Sequence, residues 1–196
     1  MEIIFAKTYL KELYLEGVTH DRKHRYQKDI IRRYQKTIDR MAEARTPEDL
    51  MRFNSLRYEK LKGNKNEISS VRVSDKYRIE FEEMKIKGVD PQMILSNLKP
   101  KHATHPGEII MDELEYMKIT QKEFAERIGV SCPQVNQILR CRRPINTEFA
   151  LLTEAAIGIP ADLLLRMQVR HDRCKVESKP SFMEKLKKIK RFAAAL

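Results

Sequence analysis

The stretch KPKHATHPGEII, Lys99 to Ile110, sets the strongest constraint on how this chain can fold. Its opening residues carry no apolar periodicity and so present no face to bury. THPGE, by contrast, is a helix-opening signal, with a threonine cap, an early proline and a glutamate in the first turn. A chain interrupted in this way near its midpoint is expected to form two units. Length permits it, because 196 residues divide into two units near a hundred residues each, and both are long enough to bury a core. The expected boundaries are residues 1–98 for the first domain, 99–104 for a linker and 105–196 for the second domain.

The two sides differ in texture. The first opens with a β-prone run, EIIF, followed by TYLKELYLEG, whose apolar residues fall at helical spacing before a glycine stop at Gly17. In KDIIRRYQKTIDRMAEAR, Ile30, Ile31, Tyr34, Ile38 and Met41 make an apolar stripe and Arg32, Arg33, Lys36 and Arg40 lie on other sides. TPEDL reads as a capped short helix. Beyond it the period changes: YEKLKG, SSVRVS, YRIEFEEM and QMILSNL alternate or run apolar, separated by turn compositions such as GNKNE, SDK and KGVDP. The expected fold is α+β, two helices on a small antiparallel sheet. The second side contains no strand pattern. Six segments from HPGEIIMDELEYMK to SFMEKLKKIKRFAAA show helical spacing, several opened by Thr, Ser or Asn, so an all-α domain is expected.

Charge narrows the partner. Residues 1–100 hold 22 basic and 16 acidic side chains and the rest hold 17 and 12, so the net +11 is shared and neither side is merely a basic tail. Such a chain favours a polyanion, nucleic acid before a membrane surface. Cys132, Cys141 and Cys174 are odd in number and form no CxxC, which argues against a disulfide framework or a zinc site and for a reducing cytoplasm. No apolar run is long enough to span a bilayer and MEIIFAKTYL lacks a leader pattern, so no membrane partner is expected. His20 and His24 stand four apart, but in the charged run HDRKHR a solvated face explains them better than a metal site, and no cofactor is expected.

QKEFAERIGVSCPQVNQILRC carries the clearest motif. Ala125, Gly129, Val135 and Ile138 stand where two short, steeply crossing helices need a small contact, a turn glycine and apolar packing, the pattern of a helix-turn-helix. Ser131 is the expected cap of the second helix, with Pro133 in its first turn and Val135, Ile138 and Leu139 inward. That leaves Cys132, Gln134, Asn136, Gln137 and Arg140 on its other sides. Amide side chains pair with an adenine edge through two hydrogen bonds, whereas the start of the first helix, at Thr120, Gln121 and Lys122, suits phosphate, as do Arg142 and Arg143. The competing reading is a helical bundle whose tight turn only happens to look this way. DNA binding is expected as a homodimer, because one such motif reads too few bases for an operator.

With HPGEII, the helix-turn-helix and RCRRPINTEFALLTEAAIGIPADLLLRMQ in view, residues 104 to about 175 resemble the HigA-type antitoxins, DNA-binding proteins that repress their own operon. Residues 1 to about 98, through FNSLRYEKLKGNKNEISSVRVSDKYRIEF, resemble the HigB toxins of the RelE/ParE superfamily, small α+β ribonucleases that act on messenger RNA in the ribosome. The two are ordinarily separate products of adjacent genes, so KPKHATHPGE looks like a junction. The resemblance implies metal-independent RNA cleavage, in which a ribose 2′-hydroxyl attacks its neighbouring phosphate and cationic side chains stabilise the charge. It carries over Lys62, Arg72 and Arg78 as phosphate or transition-state contacts, with Lys60 and Tyr77 as further members. Such toxins commonly end with an aromatic and a histidine on or after the last strand; here QMILSNL runs into KPKH, leaving His102 as a substitute, and Arg57 stands where several relatives carry histidine. Two functions stay open: a latent ribonuclease fused to its inhibitor, or a repressor whose toxin-like side is only a binding or oligomerisation module.

Overall fold

A computed structural model of the chain describes residues 2–61, 68–82 and 103–193. The expected segment QMILSNL, most of the expected linker, Lys62 and His102 lie outside the described residues. The fold class is as expected: a three-stranded antiparallel sheet with helices, then an all-helical region.

In the N-terminal part, α1 (Thr8–Glu16) stops at Gly17, whose φ of 73° is a left-handed cap that side chains adopt only with strain. The apolar stripe of α2 (Lys28–Glu43) buries Ile31, Tyr34, Ile38 and Met41. Gln35 fastens the two helices by donating to the Leu13 and Tyr14 carbonyls at 3.2 and 3.0 Å. TPEDL forms a capping box between Thr46 and Asp49, but the turn it opens, Pro47–Arg52, is a 3-10 helix. The EIIF run makes only an isolated bridge at Ile4. The sheet runs β1 (Glu59–Lys60), β2 (Ile68–Arg72) and β3 (Arg78–Glu82) in sequence order. Alternation places Val71 opposite Ile79 on the core side and Arg72 opposite Arg78 on the other.

The C-terminal part contains α3 (Pro106–Met117), α4 (Gln121–Ile128), α5 (Cys132–Leu139), α6 (Thr147–Ile157), α7 (Ala161–Glu177) and α8 (Pro180–Ala193). Left-handed glycines close α4 at Gly129 and α6 at Gly158. Phe124, Phe149, Ile109, Ile110, Ile138 and Leu163 fill its core. None of the described helices is long and apolar enough to cross a membrane.

Two caps differ from expectation. Thr104 does not open α3; it is buried, and its N–H and hydroxyl both donate to Asp39 of α2, at 2.9 and 2.5 Å. His105 is the cap instead, its Nδ1 accepting from the Gly107 N–H at 3.0 Å. Ser131 precedes α5 with no side-chain capping bond. Ala103 is buried as well, so the last two residues of the expected linker belong to the packed structure.

The two parts meet along a polar seam in which α2 packs against α7 and is linked to α3 by ion pairs. Arg32 pairs with Glu108 at 2.6 Å, Lys36 with Asp112 at 2.7 Å, and Arg40 with Asp112 at 2.6 Å and Glu113 at 3.7 Å. Arg40 lies off the apolar stripe, as expected, yet is 3% exposed, because Asp112 and Glu113 of α3 meet that side of α2. Polarity reverses further along, where Arg166 and Arg170 of α7 reach Glu43, Asp39 and the Tyr14 hydroxyl.

His105 gives this junction a pH dependence. Burial, with His171 edge-on at 4.9 Å, lowers its pKa to about 4, while Asp172 pulls the other way and Lys175 adds to the lowering. The imidazole caps α3 only while neutral. A folded pKa below the unfolded value means that its contribution is complete above about pH 6.5 and is lost as pH falls toward about 4. Chemical denaturation of the full chain between pH 4 and 7 should show this slope, and His105→Asn, which keeps a capping acceptor without a titrating ring, should flatten it. Parallel slopes for the two proteins would place the titration elsewhere.

Candidate functional site

Two surfaces carry the residues that the sequence singled out. The first is the outer side of the sheet. Arg72 and Arg78 are cross-strand partners, an arrangement of like charges that is unfavourable unless each has a counter-charge. Both do. Arg72 pairs with Asp75, three residues on. Arg78 donates through Nε to the Ser70 hydroxyl at 3.0 Å and through Nη2 to the Arg57 carbonyl at 2.6 Å, with Glu59 3.3 Å away.

Arg57 joins this surface to the C-terminal part. Its backbone is left-handed, with φ 42°, and that places its carbonyl on Arg78. Its side chain lies over the Tyr116 ring of α3 at 5.6 Å and donates to the Tyr116 hydroxyl at 3.2 Å. A chain of contacts therefore runs from α3 to the sheet cations, and the sequence carries no local signal for it, since Arg57 and Tyr116 stand 59 positions apart.

Two other expected members, Lys60 and Tyr77, are not brought together with this pair. Lys60 is the register partner of Ser69, which in turn opposes Phe81, so alternation puts it on the core side of the sheet, at an exposed edge. Tyr77 is exposed and meets Tyr26 edge-on at 5.3 Å. Lys62 is outside the described residues.

The second surface is built by α4 and α5. Thr120 and Glu123 close a capping box at the start of α4, and Ala125, Val135, Ile138 and Leu139 are buried between the helices. Lys122, Cys132, Gln137 and Arg140 are exposed, while Gln134 is half-buried. Asn136 donates to Gln121 at 2.9 Å, tying the start of α4 to the middle of α5, so these two amides hold each other. Past α5 the backbone turns left-handed at Cys141, φ 58°, and presents Arg142 and Arg143 to solvent. Although Cys141 is exposed overall, partial burial of its thiol pushes its pKa up to about 11, favouring the protonated form at neutral pH. Among the described residues, no three His, Cys, Asp or Glu side chains are grouped to hold a metal.

Residues 3–92 match the family model described as HigB-like toxin, the RelE-like toxin of the type II toxin-antitoxin system HigB. The chain is also 35% identical over 71 residues to virulence-associated protein I of Dichelobacter nodosus. That alignment covers 36% of this chain and 66% of the relative, so the chain spans just under two thirds of the length of the curated relative it matches.

Proposed function

We propose, from the HigB-like domain of residues 3–92, that this chain is a type II toxin-antitoxin protein carrying both activities in one polypeptide. Its helical part is a helix-turn-helix antitoxin that represses transcription from operator DNA as a homodimer. Its N-terminal part is a latent ribosome-dependent messenger-RNA endonuclease. The observation that carries the reading is the seam, in which three cations of α2 are neutralised by three acids of α3 and the same helix-turn-helix unit reaches Arg57 through Tyr116. A covalent tether adds an effective concentration on the order of millimolar, so the inhibiting half would seldom leave.

The sheet cations favour a second reading, a repressor whose toxin-like part is inactive. Arg78 is already engaged with Ser70, Arg57 and Glu59, and Arg72 with Asp75, so neither guanidinium stands ready for a phosphate without exchanging partners. The readings separate after cutting at a protease site inserted at 99–104. The latent enzyme should then cleave ribosome-bound messenger RNA, and Arg72→Ala or Arg78→Ala should abolish this; uncut transcripts after complete cutting would leave the repressor alone.

Both readings require operator binding. Gln134 and Gln137 are the base-reading candidates, since Asn136 is engaged with Gln121. Gln134→Ala should cost roughly 1 to 3 kcal/mol on the promoter duplex and little on a scrambled one. Arg142→Ala should weaken both about equally and lower the salt dependence, because phosphate contacts carry little sequence information. Measuring both variants across a salt series tests the reading, and absence of promoter preference at every salt concentration would sink it.

A further inference from the structure

The last helix adds little to the packing of the fold. α8 follows α7 after Ser178 and Lys179 and meets that helix, but none of its described side chains is buried and none belongs to the hydrophobic core. Phe182 and Ile189 are 39% and 54% exposed. At the helical pitch, Phe182, Leu186 and Ile189 fall within about 60° of one another, so they form a single apolar stripe with both ends open to solvent.

Charge narrows what can cover that stripe. α8 carries five cations and one acid. Lys185 and Lys190 border the stripe on its two sides, Lys187, Lys188 and Arg191 lie further round, and Glu184 falls on the opposite face. None of these cations is held in an ion pair among the described residues. A second copy of α8 would match the apolar stripe but set five cations against five. Nucleic-acid phosphate would take the cations and leave Phe182 and Ile189 in water. An anionic bilayer surface satisfies both: the stripe sinks toward the acyl chains while the bordering lysines extend their stems to the headgroups. None of the described helices is long and apolar enough to cross a membrane, and the expectation of no membrane partner concerns a spanning segment. Lying on the surface asks only for an amphipathic helix, here 14 residues and about 21 Å long.

We propose that α8 is a surface anchor that lays Phe182, Leu186 and Ile189 into the headgroup region of an anionic phospholipid bilayer, with Lys185 and Lys190 at its rim. The attachment goes beyond the toxin-antitoxin reading and is independent of it, because no residue of the helix-turn-helix or of the sheet cations takes part.

The test is co-sedimentation of the full chain with vesicles of equal parts phosphatidylglycerol and phosphatidylcholine, and with vesicles of phosphatidylcholine alone. Binding should be confined to the anionic vesicles. Lys185→Gln/Lys190→Gln should weaken it by roughly twenty-five-fold, about five-fold for each cation. Because the chain carries net +11, charge alone could adsorb it to such vesicles. Phe182→Ser/Ile189→Ser keeps every charge, and should still weaken binding by about ten-fold or more with unchanged circular dichroism. The chain has no tryptophan, so Phe182→Trp supplies a single reporter whose emission should move to the blue on the anionic vesicles only. Wild-type binding by the serine variant, unshifted tryptophan emission, or equal binding to both kinds of vesicle would overturn the proposal. So would a serine variant that loses self-association instead of vesicle binding, which would assign the stripe to a second copy. Glutamine variants that weaken only duplex DNA would overturn it too, assigning the cations to phosphate.

Discussion

Alanine at position 107 should destabilise the full chain by about 3 kcal/mol or more and, if the proposed operator binding holds, abolish it, despite alanine's better helix propensity. Gly107 lies in the first turn of α3 and does not need a left-handed backbone, so propensity alone would predict a gain of roughly 1 kcal/mol from the exchange. Packing predicts the reverse. The added Cβ would lie 2.1 Å from the Ile138 carbonyl oxygen and 2.9 Å from His105 Nδ1. Neither neighbour can yield easily: one is backbone at the end of α5, and the other is the cap of α3 itself. Overpacking of this kind usually costs 1–3 kcal/mol, and a backbone obstacle belongs at the upper end. Relief requires α3 to lift from α5, tilting the helix that the proposed function places in the major groove. Denaturant unfolding together with duplex titration decides the matter; a stabilised variant that binds DNA normally would show that α3 and α5 are not so closely packed.

The same glycine shows what could and could not be read from the chain. THPGE announced a helix start, and a helix begins there, but local pattern could not distinguish which residue caps it. Thr104 and His105 are both competent, and the choice was made by Asp39, a residue 65 positions away that takes both Thr104 donors. The burial of Arg40 has a related cause. A basic residue off the apolar stripe of an amphipathic helix normally faces water, and only the arrival of Asp112 and Glu113 on another helix makes burial tolerable. Periodicity gave the helices of the C-terminal part nearly residue by residue because their caps and cores are local. On the sheet, Arg72 and Arg78 share a face by register, whereas Lys60 could not be assigned to a face before the register of β1 on β2 was known. The Tyr116–Arg57–Arg78 chain lies between parts distant in sequence, so no local signal marks it.

Removing the Arg40 guanidinium should have the second large effect, and its sign with pH is distinctive. Arg40 is buried beside Asp112 and Glu113, with Ser55 accepting from Nη1 at 2.9 Å and the Phe53 ring 5.5 Å away, while its Nε has no partner among the described residues. An ion pair so incompletely satisfied adds little net stability when intact, but losing one member strands the other in low dielectric, at about 3–5 kcal/mol. Glu113 is the stranded group: burial already raises its pKa, with hydrogen bonds from Ser55 and the charge of Arg40 opposing the rise. In Arg40→Ala that charge is gone and the pKa should climb further. A folded pKa raised above the unfolded value confers stability that is complete below the ordinary carboxylate range and lost as pH rises through the raised value. Arg40→Ala should therefore be less destabilised at pH 5 than at pH 8, and Glu113→Gln in that background should recover part of the loss at pH 8. Replacing both members, as Arg40→Met/Glu113→Leu, should cost much less than Arg40→Ala, because an apolar pair leaves no uncompensated charge. Equilibrium unfolding of the four proteins at the two pH values is the measurement. Losses under about 1 kcal/mol throughout would place Arg40 among solvated surface pairs and remove the seam as what holds the helical part on the HigB-like domain.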